Sequence, residues 1–342
     1  MQSHMLSCRT SFLTFAATLG VVSTLVGTPG PSAAQSLATV KVGDTVSFSH
    51  LGMYVGIQKG IFRKHGIEIE RVAMPGGAKV LSTLLSGDID IGYLAAATTL
   101  QAQFQARPIK IVGMSHSMEI YTLLGRNDLK GKVTKAADLK DRTVGISSMG
   151  SGSWAFANLL AKAGSLDAQR DIKIVPLGSM LSIISGLKTS RVDTVTLWEP
   201  GTTMALNEGL GYSVIDLVDQ SQHREFMGSG QSLVEVIAAR DEVISGKRDT
   251  LRKFFAAQNE AYAWIHQASI DEVAQIVAPI VAESNASVLQ QALKRMLPGV
   301  PKTAKVDEQV YTATMAKMVE TGLFKEAQPF ARAVDNTFGD AR

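Results

Sequence analysis

Residues 147–154 read Ser-Ser-Met-Gly-Ser-Gly-Ser-Trp, four serines and two glycines directly after the apolar run 143–146. From Gly150 the letters G-S-G-S-W-A match the glycine fingerprint of dinucleotide-binding folds, and Asp171 stands about twenty residues on, where a ribose-binding acid is expected. The spacing argues otherwise. That fingerprint needs its first glycine in the turn right after the strand and its acid at the end of the next strand. Here Ser147, Ser148 and Met149 intervene, and Asp171 precedes the apolar run 172–175. No Gly-Lys-Ser/Thr follows for a phosphate loop, and the G-x-S-x-G spacing of a nucleophile elbow is missing from this stretch.

What remains is the chemistry of a helix start. The first turn of a helix exposes unpaired N–H groups and the positive end of its dipole. Serine hydroxyls add donors, and glycine lets a ligand approach the backbone, so such a place holds a carboxylate, a sulfonate or another polar ligand end without a lysine. Similar junctions recur at Ser47–His50, Pro75–Gly77, Leu94–Thr98, Ser115–His116, Gly178–Met180 and Trp198–Pro200. His50 and His116 each follow an apolar strand and are candidate ligand contacts, whereas His65, before Gly66, reads as a helix terminus. No two histidines stand three or four places apart and the single cysteine is Cys8, so neither a metal nor another cofactor is expected.

These junctions need strands and helices to hold them. Short apolar runs (42–48, 67–72, 89–94, 109–114) alternate with amphipathic segments (53–62, 78–85, 98–105), as in βαβ units with a largely parallel sheet. The chain turns polar around 127–135, and a second series follows: strands 142–147, 171–176, 191–197 and 212–216, with helices 152–163, 180–188 and 201–208 between them. Residues 84–91 and 187–194 echo each other as a helix end, a small-residue turn and a strand carrying an Asp, which suggests two lobes on one plan. After a strand at 233–238 come helices at 248–266, 270–281, 286–296 and 306–320, expected to pack on one lobe and carry no chemistry.

Composition sets the class. The chain has 342 residues, 45% hydrophobic and 19% charged, enough for two domains with cores of their own. Arg9 is the only charged side chain before Lys41, the stretch 12–26 is apolar, and Ser32-Ala33-Ala34 supplies the small residues of a cleavage site. This reads as a secretory signal peptide cleaved after Ala34, with a periplasmic destination. The formal charge of +3 is near neutral, and no basic run with interleaved aromatics points to nucleic acid.

Several of these residues also resemble a known family. Gly52-Met53-Tyr54-Val55-Gly56-Ile57-Gln58-Lys59-Gly60-Ile61-Phe62, His65 to Glu70, Gly76-Gly77, Leu84 to Gly92, Leu139 to Gly145 and Trp198-Glu199-Pro200 are similar to the nitrate/sulfonate/taurine-type periplasmic substrate-binding proteins of ABC transporters. The resemblance covers roughly 40–216. It implies a type II periplasmic-binding-protein fold, two α/β lobes hinged around a ligand cleft, with a membrane permease reading lobe closure. It implies a signal over 1–34, a first lobe over 36–126, a second over 127–230, and a return to the first over 231–342. It also implies a monomer that binds a small molecule without turning it over. Carried over by position, the ligand contacts fall at Ser49, His50, Leu51, Gly76, Ala96, Ala97, Ser148, Met149, Gly150, Ser151, Trp198 and Glu199.

This chain departs from the family in what surrounds those positions. Leu51, Met149, Trp198 and Ala95–Ala97 replace the polar or basic groups usual around nitrate and small sulfonates. An organic anion with an apolar body is expected. A neutral heterocycle, or an enzyme of the related pyrimidine-precursor-forming branch, is the alternative.

Overall fold

The computed structural model describes Ser11, Leu13 and residues 37–281 and 284–342. The expected export signal and its cleavage point fall outside the described residues, those two positions apart. In chain order the first series runs β1 (Ala38–Asp44), α1 (Leu51–Gln58), α2 (Ile61–Lys64), β2 (Ile67–Ala73), α3 (Gly77–Ser86), β3 (Ile91–Ala95), α4 (Ala96–Phe104) and β4 (Ile109–His116). The second runs β5 (Tyr121–Arg126), β6 (Thr143–Ile146), α5 (Gly152–Ala163), β7 (Lys173–Pro176), α6 (Met180–Lys188), β8 (Thr194–Trp198), α7 (Gly201–Asn207), β9 (Gly211–Asp216) and α8 (Gln220–Met227). Then come β10 (Glu235–Arg240), α9 (Asp241–Gly246), α10 (Arg248–Ile265), α11 (Ile270–Val277), α12 (Ala286–Met296), α13 (Glu308–Glu320) and α14 (Phe330–Ala333). Among the described residues no helix is long and apolar enough to cross a membrane.

The strands form two five-stranded sheets of one plan, in the orders β2-β1-β3-β10-β4 and β7-β6-β8-β5-β9. In each, the first three strands are parallel. The fourth place holds an antiparallel strand, β10 in the first sheet and β5 in the second. Each of these two is the first strand the chain makes after changing sheets. The crossing therefore falls between His116 and Tyr121, several residues before the expected boundary at 127. The polar run at 127–135 had the composition of a linker, but it is a surface turn inside the second lobe. Its predecessor Tyr121-Thr122-Leu123-Leu124-Gly125 is the buried strand that the sequence reading left unassigned.

The sequence echo has a common structural cause. Asp90 and Asp193, the acids of the two matched segments, each accept a hydrogen bond from the backbone N–H of a neighbouring strand. Asp90 Oδ2 takes that of Lys41 at 3.1 Å and Asp193 Oδ2 that of Thr143 at 2.9 Å. Each also donates its own N–H back to the same residue's carbonyl, at 2.9 and 3.1 Å. The acid thus sets the register of the parallel neighbour in both lobes.

Helix α10 supplies much of the first lobe's core. Leu251, Phe254, Phe255 and Tyr262 recur at helical spacing and are all buried, each aromatic being worth roughly 1.5–3 kcal/mol of transfer free energy. The C-terminal helices do not confine themselves to one lobe. Helix α12 packs on α11 and on the turn at 48–50, and also on α7 of the second lobe.

Candidate functional site

The carboxyl ends of the strands face each other across a cleft, and helix starts converge there. Its wall includes Gly77 at the start of α3, Ala95 at the start of α4, and Ser151 and Gly152 at the start of α5. Thr45, Ser47, Tyr93, Leu94, Ile120, Tyr121, Ser147, Trp198 and Glu235 complete it around a cavity of about 20 Å³. The lobes touch around this space. Trp198 Nε1 donates to Val46 O at 2.8 Å, the Phe48 N–H to Glu199 O at 3.1 Å, and Thr98 Oγ1 to Gly150 O at 2.9 Å.

A chain of four charged groups lies behind the first-lobe wall. Arg71 makes a bidentate pair with Asp44, at 2.8 and 2.9 Å. Tyr54 donates its hydroxyl to Asp44 Oδ2 at 2.7 Å, and His50 Nδ1 stands 3.5 Å from that oxygen. His50 Nε2 stands 3.5 Å from Oε2 of Glu235, a residue that lines the cleft. Burial opposes charge on His50, but the Asp44 and Glu235 carboxylates outweigh it and raise the imidazole above its ordinary value. Burial likewise opposes charge on Asp44, and His50 and Arg71 outweigh it and lower the carboxyl. Arg71 and His50 thus stand between the Asp44 and Glu235 side chains. Among the described residues, no arginine or lysine lines the cleft wall itself.

The second-lobe wall is a ring of hydroxyls. Ser147 Oγ bonds Ser151 Oγ and Ser153 Oγ, each at 2.9 Å, and Ser151 and Ser153 meet at 3.0 Å. Ser151 caps α5 by accepting the Trp154 N–H at 3.3 Å. Asp171, the residue that mimicked a ribose acid, accepts the Asp167 N–H at 2.8 Å and holds a turn before β7.

The expected contacts divide into three groups. Ser151 and Trp198 line the cleft, and Ala97 lines an adjoining chamber. Ser49, His50 and Gly76 stand behind its surface: Ser49 bonds Ser47 Oγ at 2.8 Å, and the Gly76 backbone lies against Ser148. Ser148 Oγ is buried without a partner, and the Gly150 carbonyl is taken by Thr98. The rest are spent elsewhere. Leu51 and Ala96 are core residues, and Met149 points to solvent with 55% exposure.

His116 and Glu199 are both held by partners within the protein. Each nitrogen of buried His116 faces a carbonyl, Nδ1 that of Met118 and Nε2 that of Met296, both at 3.0 Å. Gly299 packs on its ring so closely that a Cβ there would stand 2.1 Å from Cε1. Burial keeps this imidazole below its ordinary pKa, and it serves as a structural clamp. Glu199 gives its carboxylate to Arg295 and to the Thr203 N–H, at 2.6 and 3.1 Å. Each of its oxygens thus has a partner in the protein, and the side chain is buried. The sequence offered Glu199 as a free acid because its partner lies almost a hundred residues away.

The cleft residues that no helix-start junction pointed to were Thr45, Tyr93, Ile120, Tyr121 and Glu235. One of them carried a legible signal: Glu235 is the lone acid in the apolar run Leu233 to Ala239. Tyr93 and Tyr121 sit in strands where an aromatic is most often core, and nothing in their spacing separated the two roles.

Two mirrored α/β lobes with helix starts converging on the cleft define a solute-binding protein fold. The chain belongs to the NMT1/THI5-like family, whose model matches residues 47–269. It is 21% identical over 272 residues, 76% of each chain, to YtlA of Bacillus subtilis (strain 168), named only as a binding protein. A protein of Bordetella bronchiseptica RB50 superposes with TM-score 0.80 at 19% identity, over 89% of this chain and 96% of that one. The alkanesulfonate-binding protein SsuA from Xanthomonas axonopodis pv. citri, bound to MOPS, superposes with TM-score 0.70 at 17% identity, over 89% and 100%.

Proposed function

We propose that this chain is the extracytoplasmic receptor of an ABC-type importer, closing its lobes on a small uncharged heterocycle rich in hydrogen-bond donors. The observation that carries this reading is the arrangement of charge at the cleft. Arg71 and His50 stand against Asp44 and Glu235, and among the described residues no arginine or lysine lines the wall to meet an anion. Glu235 supplies an acceptor, Ser147 and Ser151 supply hydroxyls, and the rings of Tyr93, Tyr121 and Trp198 suit a flat apolar body. The family and the binding proteins sharing its fold favour a receptor, and the signal-like residues 1–34 favour the periplasm and a permease partner. A monomer suffices for this role.

An organic anion is the second reading. It draws on the starts of α3 and α5, whose N–H groups and dipoles point into the cleft. A thermal-shift screen of heterocycles, carboxylates and sulfonates on the purified protein, followed by mass spectrometry of the recovered compound, separates the possibilities. Heterocycles that raise the melting temperature and return unchanged support the receptor for an uncharged ligand. Shifts confined to anions overturn that ligand class, and a consumed compound overturns the receptor.

A further inference from the structure

Behind the cleft lies a second chamber of about 40 Å³. It shares three wall residues with the cleft, Ala95, Tyr121 and Gly152, which form a partition bordering both spaces. The partition is thin because Gly152 has no side chain: a Cβ there would stand 2.3 Å from the Tyr121 hydroxyl oxygen and 2.6 Å from Ala95 Cβ. Tyr121 stacks on Phe156 of the chamber at 5.5 Å and meets Trp198 of the cleft edge-on at 6.1 Å. The Tyr121 ring therefore borders both spaces.

The chamber differs from the cleft in chemistry. Helix α5 contributes Ala155, Phe156 and Leu159, and the opposite side carries Met318 and Leu323. Of its polar residues, Thr314, Glu119 and Lys317 each have a partner in the protein. The Thr314 hydroxyl donates to Val310 O and accepts the Leu233 N–H, both at 2.8 Å. Glu119 Oε1 accepts the Ile120 N–H at 2.9 Å, and Lys317 turns its amine to Glu320 at 3.3 Å. A polar ligand end gains nothing there, whereas hydrocarbon gains contact with apolar walls.

We propose that this chamber is a subsite for a short hydrocarbon substituent of the ligand held in the cleft, entered past Tyr121. This rests on the receptor reading above and narrows its ligand to a donor-bearing head with an alkyl group of about three carbons. The size follows from a volume on the order of three waters. Each methylene buried tightens binding about fourfold. The methionines at the outer side, Met227 and Met318, let the chamber adjust its shape.

Two measurements on the purified protein test the proposal. Crystals under xenon pressure are expected to show xenon against Phe156 and Leu159, lost in Ala155→Leu, or in Met227→Phe should the first variant fold poorly. Calorimetry at neutral pH with the uncharged series pyrazole, 3-methylpyrazole and 3-propylpyrazole is expected to show affinity rising about fourfold per carbon in the wild type. The same series is expected to lie flat in the filled variants, with the parent compound unaffected. An empty chamber under xenon overturns the proposal, as does an equal rise in wild type and variant. If no pyrazole binds at all, the ligand class of the receptor reading fails, and the xenon result alone decides whether the chamber accepts hydrocarbon.

Discussion

Arg295 Nε donates to Glu199 Oε1 at 2.6 Å, joining a helix of the C-terminal third to the loop after β8 in the second sheet. The same guanidinium holds both oxygens of Asp216 at 2.9 Å. Burial raises the Glu199 carboxyl even against this arginine, so the pair exists at the expense of removing a carboxylate from water. Truncating one partner of such a pair strands the other. Arg295→Met is expected to lower unfolding free energy by about 3 kcal/mol. Adding Glu199→Gln and Asp216→Asn is expected to recover at least half of that, as read by denaturant titration. Additive losses across the three changes would contradict the coupling.

A second prediction concerns the chain Arg71–Asp44–His50–Glu235. Asp44 has a lowered pKa, so its contribution is present above its ordinary value of 3.8 and is lost as pH falls through the lower folded value. His50 has a raised pKa, so its contribution is fully present below 6.5 and is lost as pH rises through the higher folded value. Asp44→Asn removes the partner of both cations. It is expected to cost about 3 kcal/mol near pH 6 and to flatten both limbs of the stability curve. Curves of wild type and variant that run parallel from pH 3 to 8 would count against the network.

Glu119 gives the opposite sign for a carboxyl. Burial in the apolar chamber pushes it up from 4.5 to about 7. The folded state then binds the proton more tightly than the unfolded chain, so stability falls as pH rises between those two values, by roughly 3 kcal/mol in all. Glu119→Gln is expected to remove this slope and to be more stable than wild type at pH 8. Thermal melts across pH 4 to 8 check it, and an unchanged slope would show that another group titrates.

The start of α5 supplies a steric prediction. Gly152→Ala drives a methyl into the Tyr121 hydroxyl and Ala95, a clash expected to cost 1–3 kcal/mol. Ligand affinity is expected to fall with it, since the partition and the serine cap must shift together. The neighbouring Ser153→Ala alters the same helix turn without filling the partition and is expected to lose less. Equal losses would place the effect in the helix cap instead.

Much of this fold was legible because its signals are local. The helices at 152–163, 180–188 and 286–296 carry serine or asparagine caps and apolar periodicity, and their expected limits match those observed. The strand Tyr121–Arg126 was not legible, because a run of apolar residues without flanking turns has no period of its own. At the site, Ser151 and Trp198 could be read from the helix-start pattern. The roles of His116, Glu199 and His50 could not, since each is decided by a partner distant in sequence: Met296, Arg295 and Glu235. A sequence shows which residues could bind a ligand, but not which are already bound by the protein.

The central claim is a receptor whose cleft grips an uncharged donor-bearing ligand at Glu235. Isothermal titration calorimetry of the most stabilising heterocycle against wild type and Glu235→Gln tests it most directly. One ligand per chain, heat that ends at saturation, and binding at least tenfold weaker in the variant are the results this account predicts. Equal affinity for both proteins, or heat that continues as the compound is consumed, would contradict it.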